Sequence, residues 1–193
     1  MRPACNDERT SPSRGEGMSA ERIPIWLKPR GLRCVVVGGG RVGARRAERL
    51  ARAGAKVTLV SPKLSPLAAD LVRRGLVTWI DRAYQPGDLA ECALAVAATD
   101  DPQVNRAVRL EAEARGVWCN RADDAGDSDF DFASVVYAGD IAIAISTGGT
   151  RPDVAKRLRQ ALEQDLATGG NAFIRLLRQW AEAPPAGERP PEP

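Results

Sequence analysis

Residues 35–43 read Val-Val-Val-Gly-Gly-Gly-Arg-Val-Gly, a β-branched run that stops at a glycine cluster. A helix-compatible stretch, Ala44 to Ala53, follows it. Gly38, Gly40 and Gly43 stand in G-x-G-x-x-G spacing. The first glycine permits a tight turn, the second lets a pyrophosphate approach the backbone, and the third lets helix and strand pack closely. The helix that opens at Arg41 and Val42 then presents free N–H groups and a positive dipole end to an anion. With a strand before it and a helix after it, the motif reads as a dinucleotide-binding turn.

The following sequence repeats that alternation. Strands are expected at Arg33–Val37, Lys56–Ser61, Val77–Asp81, Leu94–Ala98 and Val117–Ala122. Helical segments lie between them. One is closed by Gly54. One is opened by Ser65-Pro66 and ended by Gly75. One is opened by Asp101-Pro102 and ended by Gly116. Five strands with intervening helical segments predict an α/β fold, a Rossmann-like doubly wound parallel sheet whose ligands sit at the carboxyl ends of the strands.

Beyond Asp123 the pattern changes. Ser134–Tyr137 and Ile141–Ser146 alternate around Ala138-Gly139-Asp140, which predicts a hairpin. Thr150-Arg151-Pro152-Asp153 resembles a capping box for a helix running to about Leu166. After Gly169-Gly170, residues 171–183 predict a last amphipathic helix with Phe173, Leu176, Leu177 and Trp180 on one face. The organisation expected is a polar tail (1–22), a nucleotide-binding domain (23–132), a small hairpin-plus-helices segment for dimerisation (133–183) and a proline-rich tail (184–193).

Composition limits the chemistry. Histidine is absent from the 193 residues, so acid–base work falls to carboxylates, Lys, Tyr or Cys. The four cysteines are widely spaced, with no C-x-x-C, and read as buried thiols of a cytoplasmic protein. A net charge of +3 argues against nucleic acid as a partner. No apolar run reaches the roughly 20 residues of a membrane span, and residues 1–22 lack the pattern of a signal peptide.

Three strand ends converge on the expected cofactor. Gly38, Gly40, Arg41, Val42 and Gly43 form the first. Ser61 and Pro62 form the second, where an NAD site normally carries Asp or Glu; serine leaves NAD against NADP open. Thr99 and Asp100 form the third, with helix capping as their other reading. Cys119-Asn120-Arg121-Ala122-Asp123-Asp124 places carboxylates at the end of strand five, where either aspartate is a candidate general base. Thr147, Gly148, Gly149, Thr150 and Arg151 make a second anion-binding turn, suited to a substrate with several carboxylates.

Taken in order, these features resemble the precorrin-2 dehydrogenase / sirohydrochlorin ferrochelatase family, the N-terminal module of siroheme synthase and its stand-alone relatives. The resemblance covers about residues 23–166. It includes Ile23-Pro24-Ile25-Trp26-Leu27, the glycine loop, Thr58–Pro62, Ala97–Asp101 with Asn105, Cys119-Asn120 with Asp123, Ser128-Asp129-Phe130, and Ser146–Thr150. It implies a homodimeric enzyme that uses NAD to oxidise precorrin-2, a tetrapyrrole polycarboxylate, to sirohydrochlorin, with Fe²⁺ insertion to follow in many members. It places the catalytic carboxylate at Asp123, which would also meet the iron transiently. It places Asn120 and the Thr147–Arg151 turn on the substrate. The chain departs from the family pattern at Ala133, where a proline is usual, and at Thr147, where a serine is usual. A non-catalytic nucleotide-sensing or tetrapyrrole-carrying module is the alternative.

Overall fold

The structure, a computed structural model, describes residues 22–148, 151–170 and Arg175. Five parallel strands, β1 (Arg33–Val37), β2 (Lys56–Val60), β3 (Thr78–Ile80), β4 (Leu94–Ala97) and β5 (Trp118–Arg121), form one sheet in the order β3-β2-β1-β4-β5. The order reverses between β1 and β4. The glycine loop leaves β1 at that switch point, where ligands of doubly wound sheets bind. Every expected strand is present, each within one residue at either end.

Side chains of β1 alternate between two cores, as a pleated strand buried on both faces requires. Val36 joins Ala44, Ala47, Leu50, Ala68 and Leu71 beneath α1 (Arg41–Arg52) and α2 (Pro66–Arg73). Val35 and Val37 join Val108, Ala112 and Cys119 beneath α3 (Pro102–Arg115). The expected caps form. Ser65 Oγ accepts from Ala68 N, Asp101 Oδ1 accepts from Gln103 N at 2.8 Å, and Gly116 closes α3 in the left-handed region at φ 67°. The connection from β3 to β4 is not helical. Residues 81–93 form turns, held against α3 by Glu111, whose carboxylate accepts from the Tyr84 hydroxyl and from the N–H groups of Gly87 and Leu89. No apolar period marks that stretch, because only Leu89 is fully buried there.

β5 is an edge strand, yet its outward backbone groups are occupied. Asp129 Oδ2 accepts from Cys119 N and Asp129 N donates to Cys119 O. Ser128 Oγ accepts from Arg121 N and donates to Asp124 O at 2.9 Å, with Arg121 O at 3.4 Å. The chain thus folds back along β5 and then crosses to α1, where Phe132 lies under Arg46 and Arg49, each guanidinium carbon 5.4 Å from the ring centre.

The hairpin follows as β6 (Ser134–Ala138) and β7 (Ile141–Ile145), antiparallel and separate from the main sheet, with α4 (Pro152–Thr168) packed on β6. Thr150 of the expected capping box lies outside the described residues. Arg151 occupies the N-cap without a side-chain cap bond, and Asp153 is engaged by the Arg151 guanidinium. α4 runs two residues past its expected end, to Thr168, and Gly169 at φ 96° closes it. The last expected helix, 171–183, and both tails lie outside the described residues, apart from Arg22 and Arg175. Among the described residues no helix is long and apolar enough to cross a membrane.

Cys34 and Cys119 are buried and Cys92 is partly so; burial pushes all three thiols up to about 11. They therefore stay protonated at pH 8, and the thiolate is the reactive form. Iodoacetamide at that pH should leave these three unmodified in the folded protein and label them after denaturation, as read by peptide mass spectrometry.

Candidate functional site

Four glycines stand at the end of β1 and the start of α1, and the fold needs three of them. A Cβ on Gly38, at φ 114°, would lie 2.3 Å from Ala98 O; one on Gly39 would lie 2.2 Å from Lys63 O; one on Gly43 would lie 2.0 Å from Gly38 O. These contacts bring the ends of β1, β2 and β4 together. Gly40 differs. Its φ of −68° suits any residue, and a Cβ there would meet nothing within 4 Å. The space in front of Gly40 belongs to no protein atom. Behind it α1 begins without a side-chain cap, so its first N–H groups have no intrahelical partner. Arg41 and Val42 are exposed beside it, Val42 to 48%. A diphosphate fits this cradle, with the helix N-terminus as donor and positive pole.

Ser61 is buried, and its hydroxyl donates to Lys63 O at 2.7 Å. That bond shapes the β2–α2 turn, so the hydroxyl is not a free ribose donor. Pro62 and Lys63 are exposed, and the tip of β2 presents no carboxylate. Thr99 is also turned inward. Its hydroxyl donates to Asn105 Oδ1 at 2.8 Å, and its N–H donates to the same oxygen at 3.0 Å. Asn105, fully buried on α3, returns a bond from Nδ2 to Thr99 O. The structure therefore makes Thr99 a braced turn residue whose backbone borders Gly38. Asp100 is exposed next to it.

Asp123 stands two residues past β5. Arg121, only 9% exposed, grips it: Nη2 lies 2.8 Å from Oδ2 and Nε lies 3.3 Å from Oδ1. The Arg121 guanidinium holds the Asp123 carboxyl below the usual carboxylate range, and Asn105 adds to that against the opposing effect of burial. The group is thus a firmly ionised carboxylate. Arg121 Nη1 reaches Asp127 at 2.7 Å, and Asp127 also takes Arg109 Nε at 3.2 Å. Asp124 shapes the turn: its Oδ1 accepts from Gly126 N and Asp127 N, while its Oδ2 lies 3.7 Å from Arg121 Nη1.

Asn120 is 2% exposed and donates from Nδ2 to Phe130 O at 2.7 Å, with its Oδ1 buried and unpartnered. It pins the fold-back onto β5. Arg121 and Asn105 were given no role by the sequence. Arg121 and Asp123 are two apart at a strand end, a spacing that puts side chains on one side, and that is the signal that could have found the pair.

The second anion turn is partly described. Gly148, at φ 66°, donates to Ser146 Oγ, and Thr147 Oγ1 accepts from Arg151 N. Arg22 lies against it, with Nε 3.3 Å from Asp131 and Nη1 where a Gly148 Cβ would come within 2.6 Å. Arg151 is exposed and pairs with Asp153. Gly149 and Thr150 lie outside the described residues. The contacts described for this turn do not join it to Asp123. No cluster of three potential metal ligands occurs among the described residues. A cleft of about 460 Å³ flanks α3 and the 121–127 turn, lined by Arg106, Arg109, Arg121 and Asp127 among others, and takes no residue from the glycine loop.

A family model described as "Putative NAD(P)-binding" matches residues 25–134, ending as β6 begins. Siroheme synthases of Chromobacterium violaceum and Methylobacillus flagellatus are each 40% identical over 163 residues, 84% of this chain and 35% of theirs. The chain thus spans about a third of the length of these curated relatives. Among solved structures, SirC, a precorrin-2 dehydrogenase, superposes with a TM-score of 0.67 at 24% identity, over 83% of this chain and 74% of that one, and shares the fold. With its glycine cradle intact and its match to these relatives covering 84% of its length, the chain belongs to the putative NAD(P)-binding family that it shares with siroheme synthases.

Proposed function

We propose that the chain binds NAD at the Gly38–Gly43 turn and oxidises precorrin-2 to sirohydrochlorin in siroheme biosynthesis, as a homodimer in the cytoplasm. The observation that carries this reading is Gly40, whose missing side chain leaves room that only a ligand would use. The nicotinamide, when bound, supplies the hydride acceptor. The chain does the rest. The N-terminus of α1 holds the pyrophosphate, and the exposed Val42 offers apolar surface beside it. The backbone at Ala98–Thr99, braced by Asn105, forms a wall beside Gly38. Asp123 takes a proton from the oxidised macrocycle. Loss of a hydride leaves that macrocycle cationic and acidic, so a carboxylate of low basicity suffices. Arg22, Gly148 and Arg151, with Gly149 and Thr150, meet the substrate's carboxylates. Fe²⁺, where it is inserted, is a second substrate approaching the same Asp123.

The test is anaerobic incubation of the pure protein with precorrin-2, with and without NAD and Fe²⁺, followed by absorbance. NAD-dependent formation of sirohydrochlorin supports the reading, and a further change with Fe²⁺ adds chelation. NAD binding without turnover would instead identify a sensing or carrying module.

The hairpin and α4 bury little by themselves: Val136 and Ala155 are their buried residues, while Tyr137 is 70% and Leu158 49% exposed. A two-stranded hairpin with one helix is marginal alone. Light scattering at micromolar concentration should therefore report twice the chain mass. A monomer with full activity would contradict the dimer.

A further inference from the structure

Asp123 lies in a turn, outside any regular element, where a carboxylate would ordinarily sample several rotamers. Three contacts remove that freedom. Arg121 ends β5 and is 9% exposed, so its own position is set by the sheet. Its Nε and Nη2 face the two oxygens of Asp123 in a fork. Its remaining arm, Nη1, is anchored on Asp127, which Arg109 holds in turn; Arg109 also reaches Asp129, whose other contact is the N–H of Cys119 in β5. The line of ion pairs begins and ends on the same strand. It fixes a carboxylate in a turn with the rigidity of the sheet.

We infer that Arg121 is a positioning residue of the site, holding the Asp123 carboxylate in the orientation that meets the substrate. This rests on the proposed role of Asp123. Guanidinium is required by the geometry, because an ammonium cannot present two parallel donors and a third to another carboxylate at once. A lysine at 121 would keep the charge and lose the fork. Misplacement of a reacting group by about 1 Å costs on the order of 10²-fold in rate.

The experiment compares Arg121→Lys, Asp127→Asn and Asp123→Asn in the full chain. It reads kcat and KM for precorrin-2, calorimetric affinity for NAD, and melting temperature. Arg121→Lys should lower kcat by about 10- to 100-fold, with NAD affinity within about twofold of wild type and KM little changed. Asp127→Asn loosens the anchor alone and should lower kcat by a smaller factor; it carries the test if Arg121→Lys does not fold. Wild-type kcat in a folded Arg121→Lys, beside an inert Asp123→Asn, would overturn the positioning role and leave the function standing. Wild-type kcat in Asp127→Asn, where Arg121→Lys is unfolded, would overturn it likewise. Turnover by Asp123→Asn would remove the function assigned to that carboxylate, and the role of Arg121 with it.

Discussion

Asp123→Asn should lose precorrin-2 oxidation by about 10²- to 10⁴-fold in kcat while NAD affinity stays unchanged. An amide fills the same space and accepts no proton. The Arg121 fork changes what the substitution does to stability. Sequence alone suggests a neutral change, but the structure places Asp123 in an ion pair with a largely buried arginine. Losing it should lower stability by about 1 kcal/mol, or roughly 2–4 °C in a chain of this size. The sign with pH follows from the lowered carboxyl pKa. The pair stabilises fully above the unfolded value of about 3.9 and fades as pH falls through the lower folded value. The gap in melting temperature between wild type and variant should therefore close in acid. Asp124→Asn should be milder in rate, since that side chain caps a turn. An active Asp123→Asn beside a dead Asp124→Asn would move the assignment by one residue. Activity in both would end the case for a carboxylate base at the end of β5.

The second large effect is expected at Gly40. Gly40→Val should fold and should fail to bind NAD. The backbone angle there suits any residue and a Cβ meets no protein atom, so the valine enters only the ligand's space. Two charge-assisted bonds from a helix N-terminus to a phosphate, at about 1.5–3 kcal/mol each, amount to at least about 10²-fold in Kd. Valine is also a poor N-cap, at about 1 kcal/mol. Gly43→Ala gives the contrast. Its Cβ would fall 2.0 Å from Gly38 O, and the turn itself should fail. Calorimetry and melting curves separate the two. Unchanged NAD affinity in folded Gly40→Val would withdraw the cradle.

Features that depend on local pattern could be read before the structure. Val35 to Val37 announce a strand buried on both faces, Asp101-Pro102 announces a helix start, and the glycine spacing announces the turn between them. What could not be read was the choice of partners across the chain. Ser61 looks like a ribose donor until Lys63 O is seen to take its hydroxyl. Asn120 reads as a substrate ligand, and its bond to Phe130 O comes into view only with the fold-back. Arg121 looks like one arginine among many in an arginine-rich chain. Each of these polar side chains was settled by segments that return from elsewhere, and residue order carries little trace of such returns.

That fold-back has a consequence for how molecules of this protein meet. An open edge of a parallel sheet is a template on which a neighbouring chain can lay its own strand, a route to aggregation. Here the outward N–H groups of Cys119 and Arg121 and the C=O of Cys119 are taken by Ser128 and Asp129 of the same chain. That side therefore offers a neighbouring copy few free backbone groups to pair with.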